Sequence, residues 1–415
     1  MKKKDFVIYK ICKRENTTKE KNKMNKLILF SSSWVCLSFL TKTFSNSTET
    51  ILFSILIYLV IKNTENLGTS RMYLPLMGIV LSLGIFTRFT FIFFSIVPGI
   101  YFLRKIFISS KKKSGFLEKV FYVVFPFILC SLALIAIDTM YFSNCKAKSS
   151  YFSIFSTISI TPLNNLLYNS QTSNLALHGE HPRYLHLLVN TPLLYFPFLL
   201  LLFWFLLKKI KKFTFSFNSS SSFPIFFFSI LVSIFFLSLA PHQEPRFLVP
   251  LIVPLVLSIP NNNNPSKLFL VFHFFFNFSL TLFFSFFHQA GIVPSLLYVC
   301  SDLIKQQPQN HLFNLVYFKT YMPPNFLFSS CYSSINLIDL AGSSVHLLYS
   351  TLKNLQENNV STFVVFPNSI RDLVFRSVSC NFHLIQSFTP HVSTEHFPSS
   401  FSQLSLDFFN VTNCK

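Results

Sequence analysis

The chain has 415 residues, of which 51% are hydrophobic and only 12% charged, and its mean hydropathy is +0.48. A soluble globular domain carries roughly twice that charged fraction, so a purely water-soluble fold is excluded. The formal charge of +20 would suit nucleic acid, but the Lys and Arg residues cluster beside apolar runs, as in cytoplasmic loops of membrane proteins; no nucleic-acid partner is expected.

In chain order, residues 1–26 are Lys-rich, show no cleavable signal peptide and read as a basic cytosolic tail. Residues 27–288 read as a multi-spanning membrane domain, with candidate spans at about 27–41, 49–62, 72–86, 88–103, 117–142, 184–207, 223–240, 246–260 and 266–288. A bilayer core takes roughly 20 apolar residues as a helix, and several of these runs are shorter. Segment 72–103 reads as two short helices broken near Thr87-Arg88 or as one long tilted helix.

Orientation follows from two basic clusters, Arg104, Lys105, Lys111, Lys112, Lys113 and Lys119, and Lys208, Lys209, Lys211 and Lys212, which belong on the cytoplasmic side. Alternation then places 143–183, 241–245 and everything after about 289 in the lumen. Residues 289–415 mix polar and apolar residues and read as a small mixed α/β luminal region. Cys300, Cys331, Cys380 and Cys414 fall there and either pair in an oxidising lumen or remain thiols. The eight cysteines show no CxxC spacing, so no zinc or redox motif is supported.

Two polar constellations stand out. In Ala240 to Leu248 a His, an acid and an Arg fall within five residues, His242, Glu244 and Arg246. They form either an interfacial loop with a simple Glu244–Arg246 pair, or a site in which Arg246 holds a phosphate and His242 or Glu244 meets a sugar hydroxyl. The luminal loop Thr161 to His186 adds Asn164, Asn174, His178, His181, Arg183 and Tyr184. Amides, imidazoles and a Tyr suit a polyhydroxylated ligand, and the His spacing is not a zinc pattern, so no metal is assigned. Arg88 and Asp138 each put one charge at the end of an apolar run, where snorkelling or capping explains them equally well. No Gly-rich phosphate loop and no GxSxG elbow is present, and a donor carried on a lipid fits a chain that is nearly all membrane.

The stretch His242-Gln243-Glu244-Pro245-Arg246-Phe247-Leu248 resembles the His-(Lys/Gln)-Glu-x-Arg-Phe signature of glycosyltransferase family 22, the dolichyl-phosphate-mannose-dependent mannosyltransferases. Thr43 to Thr50, Gly84 to Phe91 and Asp138-Thr139 are similar to further segments of that family. Thr161 to Tyr168, Asn174 to Gly179, His181 to Tyr184, His288 to Pro294 and Lys319 to Pro324 resemble one branch, which adds the fourth mannose to GPI precursors.

The resemblance implies a GT-C-like, α-helical polytopic protein of about eight to nine spans in the endoplasmic reticulum membrane, active on its luminal face. It implies a lipid-linked donor, a GPI-glycolipid acceptor and no cofactor. The substrate-binding residues expected are His242, Glu244, Arg246, Asn164, His178, His181, Arg183 and Arg88. Two alternatives are a mannosyltransferase of N-glycan precursor assembly, and an inactive or transporter-like membrane protein. Family members open with a span and an acidic luminal loop, and no such segment precedes Thr43, so the catalytic acid is not assigned; an incomplete reading of the gene is the favoured account.

Overall fold

The computed structural model describes residues 20–65, 73–110, 113–144, 158–171, 181–211, 223–259, 265–304, 312–328, 335–356 and 360–414. It divides into two compact units, Met1–Phe278 and Ser279–Lys415.

The first unit is helical. Its helices are α1 (Glu20–Ser31), α2 (Ser45–Glu65), α3 (Tyr73–Thr87), α4 (Phe91–Ser109), α5 (Lys113–Asn144), α6 (Thr161–Ser170), α7 (Thr191–Lys211), α8 (Phe223–Ser238), α9 (Ile252–Ser258) and α10 (Lys267–Leu282), the last continuing past Phe278 into the second unit. A helix satisfies its own backbone, which is what an apolar chain in lipid requires. Among the described residues four stretches are long and apolar enough to cross a membrane: Phe91–Ser109, Lys113–Phe142, His186–Leu207 and Lys267–Phe287. This is fewer than the eight to nine spans expected. Tyr73–Thr87, Phe223–Ser238 and Pro245–Ser258 are apolar helices but shorter, and the last is tightened into a 3-10 turn over Pro245–Leu251, where Pro245 and Pro250 lack the amide hydrogens an α-helix uses. Segment 72–103 is settled as two helices, α3 and α4, separated at Arg88–Thr90.

The helices pack through small residues and through carbonyls released by proline. A Cβ on Gly78 of α3 would lie 2.1 Å from the Val123 carbonyl oxygen of α5, and one turn on, the Ser82 and Ser131 hydroxyls bond at 2.9 Å. Small residues four apart allow this approach where lipid offers no hydrophobic drive between helices. On α5, Leu117, Phe121, Phe125, Ile128, Leu129 and Leu132 are exposed, an apolar stripe suited to lipid. In α7, Pro197 cannot bond the Leu193 carbonyl four residues back, and the Trp34 indole donates to it instead at 3.3 Å. Tyr195, at the resulting kink, donates its hydroxyl towards the Leu248 and Val249 carbonyls at 2.9 and 3.1 Å and so anchors the 3-10 turn. Lys26 of α1 reaches the Leu257 carbonyl at the end of α9 (3.5 Å).

The second unit carries helices α11 (Ile292–Tyr298), α12 (Val345–Gln356) and α13 (Arg371–Ser377) and strands β1 (Phe313–Tyr317), β2 (Ile335–Asp339), β3 (Thr362–Pro367), β4 (Asn381–Phe388) and β5 (Leu406–Thr412). They form one sheet in the order β2-β1-β3-β5-β4, with β1 parallel to β2 and β3, and β5 antiparallel to β3 and β4. Strand alternation sorts the core into two layers. Phe313, Leu315, Tyr317, Phe363, Val365 and Phe408 pack with Ile292, Leu296, Val299 and Leu303. Val316, Phe318, Val364, Phe366, Phe409 and Val411 pack with Leu348 and Leu352 of α12 and Val374 of α13. A Cys380–Cys414 disulfide joins the start of β4 to the end of β5, and Cys300 is also disulfide-bonded; Cys331 lies outside the described residues.

Candidate active site

Four stretches distant in sequence meet at the ends of the helices of the first unit: the start of α2, the turn between α3 and α4, the loop 181–186, and the loop 241–247. In the α3–α4 turn, a Cβ on Gly84 would collide with the Phe91 ring at 2.3 Å, so glycine there lets the ring lie against α3 and close the turn that presents Arg88. Thr90, the N-cap of α4, makes no capping bond; its hydroxyl donates instead to Glu49 Oε1 on α2 (2.7 Å).

The Arg88 guanidinium is held on several sides. Its Nε lies 3.4 Å from Glu49 Oε2 and 3.3 Å from Thr90 Oγ1, and its Nη1 donates to Ser45 Oγ at 3.0 Å. Its plane sits 5.1 Å from the Phe247 ring centroid, within cation–π range. Burial lowers the Arg88 pKa, Glu49 opposes that, and the positive charge of Arg246 lowers it again, which places the two guanidiniums within electrostatic reach.

Glu244 binds both of its sequence neighbours. Its Oε1 is 2.8 Å from His242 Nε2 and accepts from Arg246 Nη2 at 2.8 Å, while Oε2 pairs with Arg246 Nε. Burial pushes its pKa up, but the His242 hydrogen bond and the Arg246 charge more than offset this and hold it at about 2. Glu244 is therefore ionised, with both oxygens engaged by its sequence neighbours.

Gln243 fixes the loop from beneath. It is buried, and its Oε1 accepts from the His186 amide at 2.9 Å. Its Nε2 donates towards the carbonyls of Arg183, Ser238 and Ala240 at 3.3, 3.0 and 3.2 Å. The backbones reciprocate: the His181 amide bonds the Pro241 carbonyl at 2.9 Å, and the Gln243 amide bonds His181 Nδ1 at 3.3 Å. Three imidazoles gather here, with His181 5.5 Å from His242 by ring centroid and His186 6.4 Å from Phe247. Among the described residues no group of His, Cys, Asp and Glu is arranged to hold a metal ion.

Of the residues expected from sequence, His242, Glu244, Arg246, Arg88 and His181 come together. Arg183 joins through its backbone carbonyl, and its side chain is exposed. Asn164 stays on the exposed face of α6, where its amide bonds Ser159 Oγ at 3.4 Å, while the neighbouring Thr161 hydroxyl bonds Asp138. His178 lies outside the described residues. Glu49, Thr90, Gln243, His186 and Phe247 fall inside the sequence motifs but were not among the binding residues expected. Glu49 had a signal, an acid inside an apolar run; Gln243 had none beyond its neighbours.

The profile of the Alg9-like mannosyltransferase family matches residues 4–333. The chain is 28% identical to GPI mannosyltransferase 4 of Debaryomyces hansenii, over 95% of this chain and 78% of that protein. It is 29% identical to GPI mannosyltransferase 4 of Candida albicans, over 93% of this chain and 76% of that protein. For GPI mannosyltransferase 4 of Saccharomyces cerevisiae the figures are 30%, 88% and 70%. No solved structure gives a significant match.

Proposed function

The chain belongs to the Alg9-like mannosyltransferase family, and we propose that it takes mannose from dolichyl-phosphate mannose and adds it as the fourth mannose of a GPI-anchor precursor. The observation that carries this reading is the meeting of Arg88, Arg246 and His242 around Phe247 at the ends of apolar helices. Guanidiniums suit a phosphate by their planar fork, and an apolar scaffold suits a polyprenyl chain. Likeness to GPI mannosyltransferase 4 relatives over most of the chain supports a GPI precursor as the acceptor.

The transfer inverts the anomeric centre. The acceptor hydroxyl forms the new bond to the anomeric carbon and gives its proton to a carboxylate base, while the bond to phosphate breaks and its electrons stay on the dolichyl phosphate. Charge on that phosphate grows as the bond breaks, so cations fixed in advance lower the barrier. Arg246, held side-on by Glu244, is the residue assigned to that phosphate. His242 meets the sugar, and Glu244 keeps both oriented. His181, Arg183, His178 and Asn164 serve the acceptor glycan. The active face is the lumen of the endoplasmic reticulum; the Cys380–Cys414 disulfide supports an oxidising compartment for the second unit.

Expression of the full-length protein in cells lacking fourth-mannose transfer tests the reading. Appearance of tetramannosyl GPI precursors is expected. Continued accumulation of the trimannosyl form, with the protein present in the membrane, contradicts it.

A further inference from the structure

Glu49 is fully buried near the start of α2, and no charge is placed at such depth without a partner. Its Oε1 accepts from Thr90. Its Oε2 makes no hydrogen bond and has Arg88 Nε as its ionic neighbour at 3.4 Å. The carboxylate thus ties Thr90 with one oxygen and holds the inner edge of the Arg88 guanidinium with the other. Ser45 takes one Nη1 hydrogen and Phe247 one face, while Arg88 Nη2 has no hydrogen-bond partner among the described residues. Arg246 repeats the pattern, with its inner edge on Glu244. In both pairs the cation is the more exposed partner: 21% for Arg88 against 0% for Glu49, and 45% for Arg246 against 28% for Glu244. Counter-charge lies deep and positive charge lies outward, so a formally balanced cluster still turns a cationic face to a ligand.

We propose that Glu49 is a positioning residue that fixes Arg88 on Phe247, so that Arg88 and Arg246 together grip the phosphate of the polyprenyl-linked donor. This rests on the mannosyl-transfer reading for the identity of the donor, and it adds to that reading the buried acid that holds the Arg88 guanidinium in place. A bidentate guanidinium loses most of its advantage when its plane turns, so the buried acid governs phosphate affinity without touching phosphate.

The test is binding of a short polyprenyl phosphate to the full-length protein in lipid nanodiscs, with the unphosphorylated polyprenol and phosphatidylinositol as parallel probes. Glu49→Gln keeps the size of the side chain and an acceptor for Thr90, and its thermal unfolding is measured alongside. Polyprenyl phosphate binding is expected to weaken by about tenfold or more, with polyprenol and phosphatidylinositol binding unchanged. Arg88→Gln weakens it similarly, and adding Glu49→Gln to Arg88→Gln changes it by less than about twofold, since residues that act as one unit are not additive. A Glu49→Gln protein that binds polyprenyl phosphate like the wild type overturns the proposal. So does equal weakening for polyprenol, selective loss of phosphatidylinositol, additive effects in the double variant, or a wild type that does not bind polyprenyl phosphate. A wild type that binds the phosphate yet transfers no mannose refutes the enzymatic reading and leaves this one standing.

Discussion

Glu244 shows most plainly how a residue's surroundings decide its role. With a pKa of about 2 against the usual 4.5, its contribution to stability is complete above the usual value and is lost only as pH falls through about 2. Between pH 5 and 8 it stays ionised. Glu244→Gln is therefore expected to lower mannosyl transfer by about tenfold or more, by the same factor at every pH in that window, as initial rates at pH 5, 6.5 and 8 will show. Gln243 acts differently. Gln243→Leu strands the buried His186 amide and is expected to cost about 1–3 kcal/mol, read as a lowered unfolding temperature. His391, in the second unit, is held at about 4, first by burial and then by the charge of His288, and its Nδ1 accepts from the Gly291 amide at 3.2 Å. Its folded pKa lies below the unfolded value, so the stability it gives is whole above 6.5 and is lost as pH falls towards about 4. His391→Gln is expected to flatten that part of the pH dependence, measured by hydrogen exchange across the sheet.

At the scale of elements, what was readable in sequence depended on whether the deciding partner was near in the chain. The charge at Arg88 interrupts an apolar run, but the sequence fitted one long tilted helix as well as two short ones, and the structure decides for two. The C-terminal strands were legible as apolar runs too short to span, such as Phe363 to Phe366, and β3 contains them. The 3-10 turn after Glu244 and the kink at Tyr195 start from local prolines, but the bond that ties them together was not legible, because the Tyr195 hydroxyl reaches carbonyls more than fifty residues away. Nor was the role of Gly78, which is set by a backbone on another helix. Gly78→Val is expected to force α3 from α5 and cost about 1–3 kcal/mol or more by overpacking. Gly99, with open space around its Cβ position, should accept Ala with no loss and a gain of about 0.5–1 kcal/mol. Thermal unfolding of the two variants in the same detergent checks the contrast.

At the scale of the molecule, composition alone fixed the membrane, and the short signature around His242 pointed to the chemistry. Arg88 and His181 stood out in sequence as candidates, whereas Glu49 and Phe247 acquire a role only when α2, the α3–α4 turn and two loops are brought together. The chemistry to be tested is mannosyl transfer from a dolichol carrier to a GPI precursor. Its most direct test is incubation of the purified full-length protein in nanodiscs with radiolabelled dolichyl-phosphate mannose and trimannosyl GPI acceptor. A labelled tetramannosyl product that disappears in Arg246→Ala is expected. Label that stays on the donor, or that moves to a dolichol-linked oligosaccharide and not to the GPI acceptor, would contradict it.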